Sequence, residues 1–223
     1  MTLYLYALVE PPARLPDASG LDGSAVSAEP LGALDAVVSR LEGPPSAQSE
    51  EHVLAHARVV DELAALNDAV LPVRFGRAYA DASALRQAVE AREGELREAL
   101  DRVRGCVELG LRVLAGTADR TLVAPGSGRD YLQARLDERQ RGERLADELD
   151  APLAALSRAA TRSVLATPHL VLSAAYLVPR DELDEFRRAV GSVQSRHPEL
   201  SVACTGPWAP YSFATADAEA AQP

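Results

Sequence analysis

Cys106-Val107-Glu108-Leu109-Gly110-Leu111-Arg112-Val113 alternates residue by residue. Val107, Leu109, Leu111 and Val113 fall on one side of an extended chain, and Cys106, Glu108, Gly110 and Arg112 on the other. Strands of a doubly wound parallel sheet are buried on both faces and read as unbroken apolar runs. A strand that gives only one face to the core belongs instead to a mainly antiparallel sheet in an α+β fold.

Working toward the N-terminus, a helix is predicted over 82–103 with Asp81 as its cap, and another from Glu50 to Ala69 with Ser49 as its cap. The apolar face of the earlier helix reads as Val53, Ala57, Val60, Leu63, Ala64 and Leu66. Gly43-Pro44-Pro45-Ser46 is a break. Residues 33–41 suit either a strand or a helix and are read as a strand, a short stretch near 25–28 reads as another, and Leu3-Tyr4-Leu5-Tyr6-Ala7-Leu8-Val9 reads as a buried one.

Toward the C-terminus, a long helical stretch is predicted over 129–166, broken at Asp150-Ala151-Pro152. A strand over 169–178, a helix over 180–195 capped by Asp181, and a strand over 200–205 follow. The pattern predicts two small α+β domains with mainly antiparallel sheets, as ferredoxin-like variants. The first covers 1–104 and the second, ferredoxin-like, covers 105–205. Residues 206–223 form an extended aromatic and proline-rich arm with a disordered acidic tail.

A chain of 223 residues with a hydrophobic fraction of 47% builds its cores without staples. Every basic side chain except histidine is arginine. The net charge of −10 and an aromatic content of 4% argue against a nucleic-acid partner, which needs positive charge and stacking rings. Cys106 and Cys204 are far apart and match no zinc or redox spacing, so they read as packed, reduced thiols. No basic segment precedes the apolar start and no apolar run reaches the length of a membrane span, so the expected location is the cytoplasm.

Convergent chemistry is scarce. His52 and His56 have the helical spacing of a zinc pair, but Val53 stands where a metalloprotease needs glutamate, and they read as ordinary helix histidines. Gly126-Ser127-Gly128 lacks the lysine of a phosphate-binding loop and reads as a helix start. Asp181, Glu182, Asp184 and Glu185 read as solvated helix-start charges. No catalytic, metal or cofactor residue is assigned, and the chain is not read as an enzyme.

Two segments fit no simple element. One is Leu71-Pro72-Val73-Arg74-Phe75-Gly76. The other is Gly206-Pro207-Trp208-Ala209-Pro210-Tyr211-Ser212-Phe213, which holds the single tryptophan. Prolines pre-set an extended chain and rings offer large contact area at low entropic cost. Such an arm folds back into a groove of its own chain, meets a partner, or does both. Leu71, Pro72, Arg74, Phe75, Trp208, Pro210, Tyr211 and Phe213 are the candidate docking residues.

These segments also resemble blocks of the gas vesicle protein F/L family. The opening Leu3 to Val9, the strand at Cys106 to Val113, Gly128-Arg129-Asp130-Tyr131-Leu132 and Ala175-Tyr176-Leu177-Val178 are similar to further blocks in the same order. Arg77 stands where the family favours a small or hydroxyl residue, and Ala209 replaces a proline. The resemblance implies an accessory or minor structural protein needed for vesicle assembly. Its implied partners are the main gas vesicle shell protein and other accessory proteins. It leaves open whether the chain is an F or an L protein. The alternative reading is a small-molecule-binding regulatory module on a ferredoxin-like scaffold.

Overall fold

The computed structural model describes residues 1–43, 49–115, 127–163 and 170–214. They form two compact units: Met1–Glu108 together with the chain from Pro207 onward, and Leu109–Gly206. The boundary expected at Arg104-Gly105 falls just before this division. The arm set apart from residue 206 groups with the first unit.

The first unit is built on β1 (Thr2–Val9). On one side β1 pairs with β3 (Leu34–Leu41), which pairs with β2 (Val26–Leu31). On the other side it pairs with β4 (Val70–Pro72) and then with β5 (Ala78–Tyr79). All these pairings are antiparallel. Pro72 closes β4 on the short outer strand, where its missing N–H costs no ladder bond. Three strands precede the first α-helix, so this unit does not follow a ferredoxin-like order.

Leu3 to Val9 are all buried because helices cover both faces of β1. The pairing register slips between Leu5 and Ala7, a β-bulge that reverses the alternation. Tyr4 and Tyr6 before it, and Ala7 and Val9 after it, therefore share the core under α1 (Glu50–Leu66). Leu5 and Leu8 face the other way, toward α2 (Ala82–Glu90) and α3 (Glu93–Val103).

Ser49 caps α1 by accepting from His52 N–H at 3.2 Å, and Asp81 caps α2 by accepting from Ala84 N–H at 2.9 Å. The buried stripe of α1 differs from the expected one. It runs through His52, His56, Val59, Val60, Leu63 and Ala64, while Val53 is 44% exposed. Both imidazoles find internal partners, and that rotates the helix toward them. The single helix expected over 82–103 bends at Ala91-Arg92. The bend lets Leu85 and Val89 in one half, and Leu96, Leu100 and Val103 in the other, all reach the core.

The second unit runs through β6 (Cys106–Ala115), α4 (Gly128–Ala154), β7 (Ala159–Ser163), β8 (Leu170–Pro179), α5 (Leu183–Arg196) and β9 (Leu200–Trp208). The sheet order is β7-β8-β6-β9, with β7 antiparallel to β8. Leu109, Leu111 and Val113 of β6 face α4 and α5 in one core with Tyr176, Phe186 and Val193. Gly110 is half-buried and Arg112 exposed, so the alternation does mark a one-faced strand.

Three expectations are corrected here. Pro152 sits inside the last turn of α4 rather than breaking a helix that resumes, and β7 replaces that resumption. A 3-10 turn over Arg180–Glu182 leads into α5, and Asp181 makes no cap bond. Cys106 is buried but Cys204 is exposed, so only one thiol is packed. Among the described residues no helix is long and apolar enough to cross a membrane. The chain after Ala214, His169 and the turn at Pro125-Gly126 lie outside the described residues.

Candidate functional site

The bulge on β1 brings Tyr4 and Tyr6 under His56 of α1. The His56 ring lies 5.7 Å from that of Tyr4 and 5.5 Å from that of Tyr6. Its Nε2 is 2.9 Å from the Val73 carbonyl, which only accepts, so Nε2 carries the proton. Nδ1 is then the acceptor for the Tyr4 hydroxyl at 2.9 Å. The Tyr4 oxygen in turn accepts from Gly76 N–H at 3.1 Å. One histidine thus ties the segment after β4 to β1 and α1.

Burial fixes the protonation of this cluster. It holds the His56 imidazole down at about 4, because a charged ring would be stripped of water. It pushes the Tyr4 phenol up to about 12 and raises Tyr6 as well. The Tyr6 hydroxyl donates to Ser39 Oγ at 3.1 Å and accepts from Leu21 N–H at 2.9 Å. At neutral pH the cluster is uncharged, and its hydrogen bonds close on the chain itself.

The C-terminal arm seats on this cluster. Gly206, inside β9, sits at φ 109°, a conformation that disfavours any side chain, and the arm leaves the strand after Trp208. Ala209 enters the core of the first unit and Pro210 is buried, while Tyr211 packs against the same core. The Tyr211 hydroxyl comes within 3.5 Å of His56 Nε2. Phe213 N–H and Ala214 N–H both close onto the Pro210 carbonyl, which curls the end of the arm. Glu108 holds the curl from outside, accepting from Ser212 N–H and Ser212 Oγ, each at 2.7 Å.

The eight candidate docking residues sort into three groups. Leu71, Pro72, Pro210 and Phe213 are buried within the first unit, so they hold the chain together. Phe75 and Tyr211 are half-buried, with the Phe75 ring 5.8 Å from that of His56. Arg74 is exposed, and Trp208 is 48% exposed. The structure brings Phe75 and Tyr211 to the same histidine, and it leaves Arg74 and Trp208 facing out.

The sequence reading missed His56, Tyr4 and Glu108. The signal for His56 was present: His52, His56, Val59, Val60 and Leu63 keep a helical stripe once the histidines are admitted to it. Nothing local distinguishes Glu108 from other strand-surface acids. His52 is also internal, 2.7 Å from Asp22 Oδ1 through Nε2. Among the described residues no group of three or more His, Cys, Asp or Glu is arranged to hold a metal ion. Gly126 of the glycine pair lies outside the described residues.

The family model described as gas vesicle synthesis protein GvpL/GvpF matches residues 2–215. Over 214 residues the chain is 31% identical to gas vesicle protein F1 of Halobacterium salinarum, covering 95% of this chain and 92% of that protein. It is 34% identical over 182 residues to gas vesicle protein L of a Streptomyces species, covering 72% of this chain and 67% of that protein. Among solved structures, the gas vesicle protein GvpF crystal structure from Anabaena sp. is similar at a TM-score of 0.81, with 20% identity and 96% of each chain covered. At that identity the likeness is one of fold.

Proposed function

Because the chain belongs to the GvpL/GvpF family of gas vesicle synthesis proteins and so has a role in gas vesicle formation, we propose that it is a non-enzymatic assembly protein that binds the main shell protein. A shell subunit that faces gas carries a large apolar surface, which aggregates unless it is masked before polymerisation. The task calls for an anchored contact surface rather than for catalytic groups. The most convergent polar cluster of the first unit spends its hydrogen bonds on its own chain, with His56 clamping β1, α1 and the segment after β4.

Trp208 carries this reading. It is the chain's single tryptophan and is 48% exposed, yet it is followed at once by the buried Ala209 and Pro210. A large ring held out on a fixed support loses little freedom on binding, which is the signature of an interface anchor. Arg74, exposed on the segment that His56 clamps, is the second residue offered to the partner.

Retention of the purified chain on immobilised shell protein tests the proposal. Trp208→Ala is expected to weaken retention about tenfold or more, in keeping with an interface anchor, while its melting temperature stays at the wild-type value. Full retention of Trp208→Ala removes this surface from the interface. No retention of the wild-type chain removes shell binding altogether.

A further inference from the structure

The face of β1 opposite His56 holds a cavity of about 80 Å³. Its floor is apolar, with Leu5 and Leu8 from β1 and Val89 and Leu96 from the two helices. Arg77, Tyr79 and Arg92 also line it. The cavity lies where α2 and α3 meet, and the bend between them, made without proline, supplies Arg92 to its wall.

The two arginines are not equivalent. Arg92 Nε donates to Glu95 at 3.0 Å, so its charge is met within the chain. Arg77 is half-buried and its backbone is pinned, since its carbonyl accepts from Leu5 N–H at 3.0 Å. Its guanidinium has no hydrogen-bond or ion-pair partner among the described residues. A guanidinium on a half-buried residue, beside an apolar floor, is a fork without its acceptor. Carboxylates fill that fork with two parallel hydrogen bonds.

Size limits what accompanies the carboxylate. An apolar cavity of about 150 Å³ accepts benzene, so half that volume takes a branched group of roughly three or four carbons. We infer that this cavity binds a carboxylate carried on a short branched aliphatic group, with the aliphatic part on Leu5, Leu8 and Leu96 and the carboxylate on Arg77. The same chemistry comes from a free branched-chain acid or from a peptide ending in valine or leucine. The chain's net charge of −10 opposes anions at long range, so binding is local and weak, with a Kd on the order of 1 mM for the free acid. The inference does not rest on shell binding, and either stands if the other fails.

Two-dimensional NMR of the labelled full chain tests it with three probes. They are 3-methylbutanoate, an N-acetylated tripeptide ending in valine with a free carboxylate, and the amide of that tripeptide. Saturable shifts at the amides of Tyr79, Val89 and Leu96 are expected with one or both acids. Shifts with the free acid alone assign a small-molecule ligand, and shifts with the peptide acid alone assign a chain terminus. Arg77→Gln is expected to weaken binding at least tenfold and Ala88→Leu, which fills the cavity from the α2 residue Ala88 that also lines it, to abolish it; Arg77→Lys retains part of it. No shifts with either acid, equal shifts with the amide, or full binding by Arg77→Gln in a wild-type-like spectrum each overturn the inference. If Arg77→Gln fails to fold, Ala88→Leu and the amide decide alone.

Discussion

Tyr4 and Tyr176 are both without exposed surface, one in each unit, and their hydroxyls end in different places. Tyr4 donates to the neutral His56 ring inside the first core and accepts from the Gly76 N–H at the edge of that core. Tyr176 packs its ring 5.2 Å from Phe186 but donates outward, at 2.6 Å, to the carboxylate of Asp150. That carboxylate is partly exposed, and Arg162 lies 3.9 Å from its other oxygen. The bond between Tyr4 and His56 therefore has no access to replacement partners, whereas the bond of Tyr176 leans on a group that water also reaches. An internal bond that water cannot replace is costly to lose, and one at the rim is not.

His56→Ala is the most severe break. It strands the Tyr4 hydroxyl and the Val73 carbonyl, and it removes a ring that touches Tyr4, Tyr6 and Phe75. Lost packing and stranded polar groups together predict a loss of about 4 kcal/mol in denaturant unfolding. A loss under about 1 kcal/mol contradicts the view that this histidine ties the unit together.

Acid makes a milder version of the same break. The folded His56 imidazole titrates at about 4, below its unfolded value near 6.5. Above 6.5 both states are neutral and the full stability is present. Between 6.5 and about 4 the unfolded chain takes up a proton that the folded chain refuses, so stability falls as pH falls. Below about 4 both states are protonated and the loss levels off, at about 3 kcal/mol. The loss is read from unfolding midpoints of wild type and His56→Gln across this window. The variant lacks that component, and parallel curves for the two proteins rule it out.

The contrast also explains what could be read from the residues alone. The one-faced strand at Cys106 to Val113 and the Ser49 and Asp81 caps are local chemistry, and local chemistry is written in the sequence. What failed needed tertiary partners. Ala159-Ala160-Thr161-Arg162-Ser163 has no apolar alternation and becomes β7 only because β8 lies beside it. His56 looks polar until Tyr4 and Val73 satisfy both ring nitrogens. Of the docking residues, the aromatic and proline pattern marked the arm, but which rings it buries and which it shows depends on a groove made by distant segments.

The gentlest test sets the two tyrosines side by side. Tyr176→Phe removes one bond to Asp150, whose carboxylate keeps water and the neighbouring Arg162, so a loss of about 1.5 kcal/mol is expected. Tyr4→Phe removes one hydroxyl too, but it leaves His56 Nδ1 and Gly76 N–H without their partner. Its expected loss is larger, about 2.5 kcal/mol, though both changes delete a single oxygen from an equally buried ring. Unfolding of the two variants in the same denaturant series reads the difference directly. If Tyr176→Phe proves as damaging as Tyr4→Phe, the partly exposed carboxylate is not being rescued by solvent. The two cores would then be held by networks of the same kind.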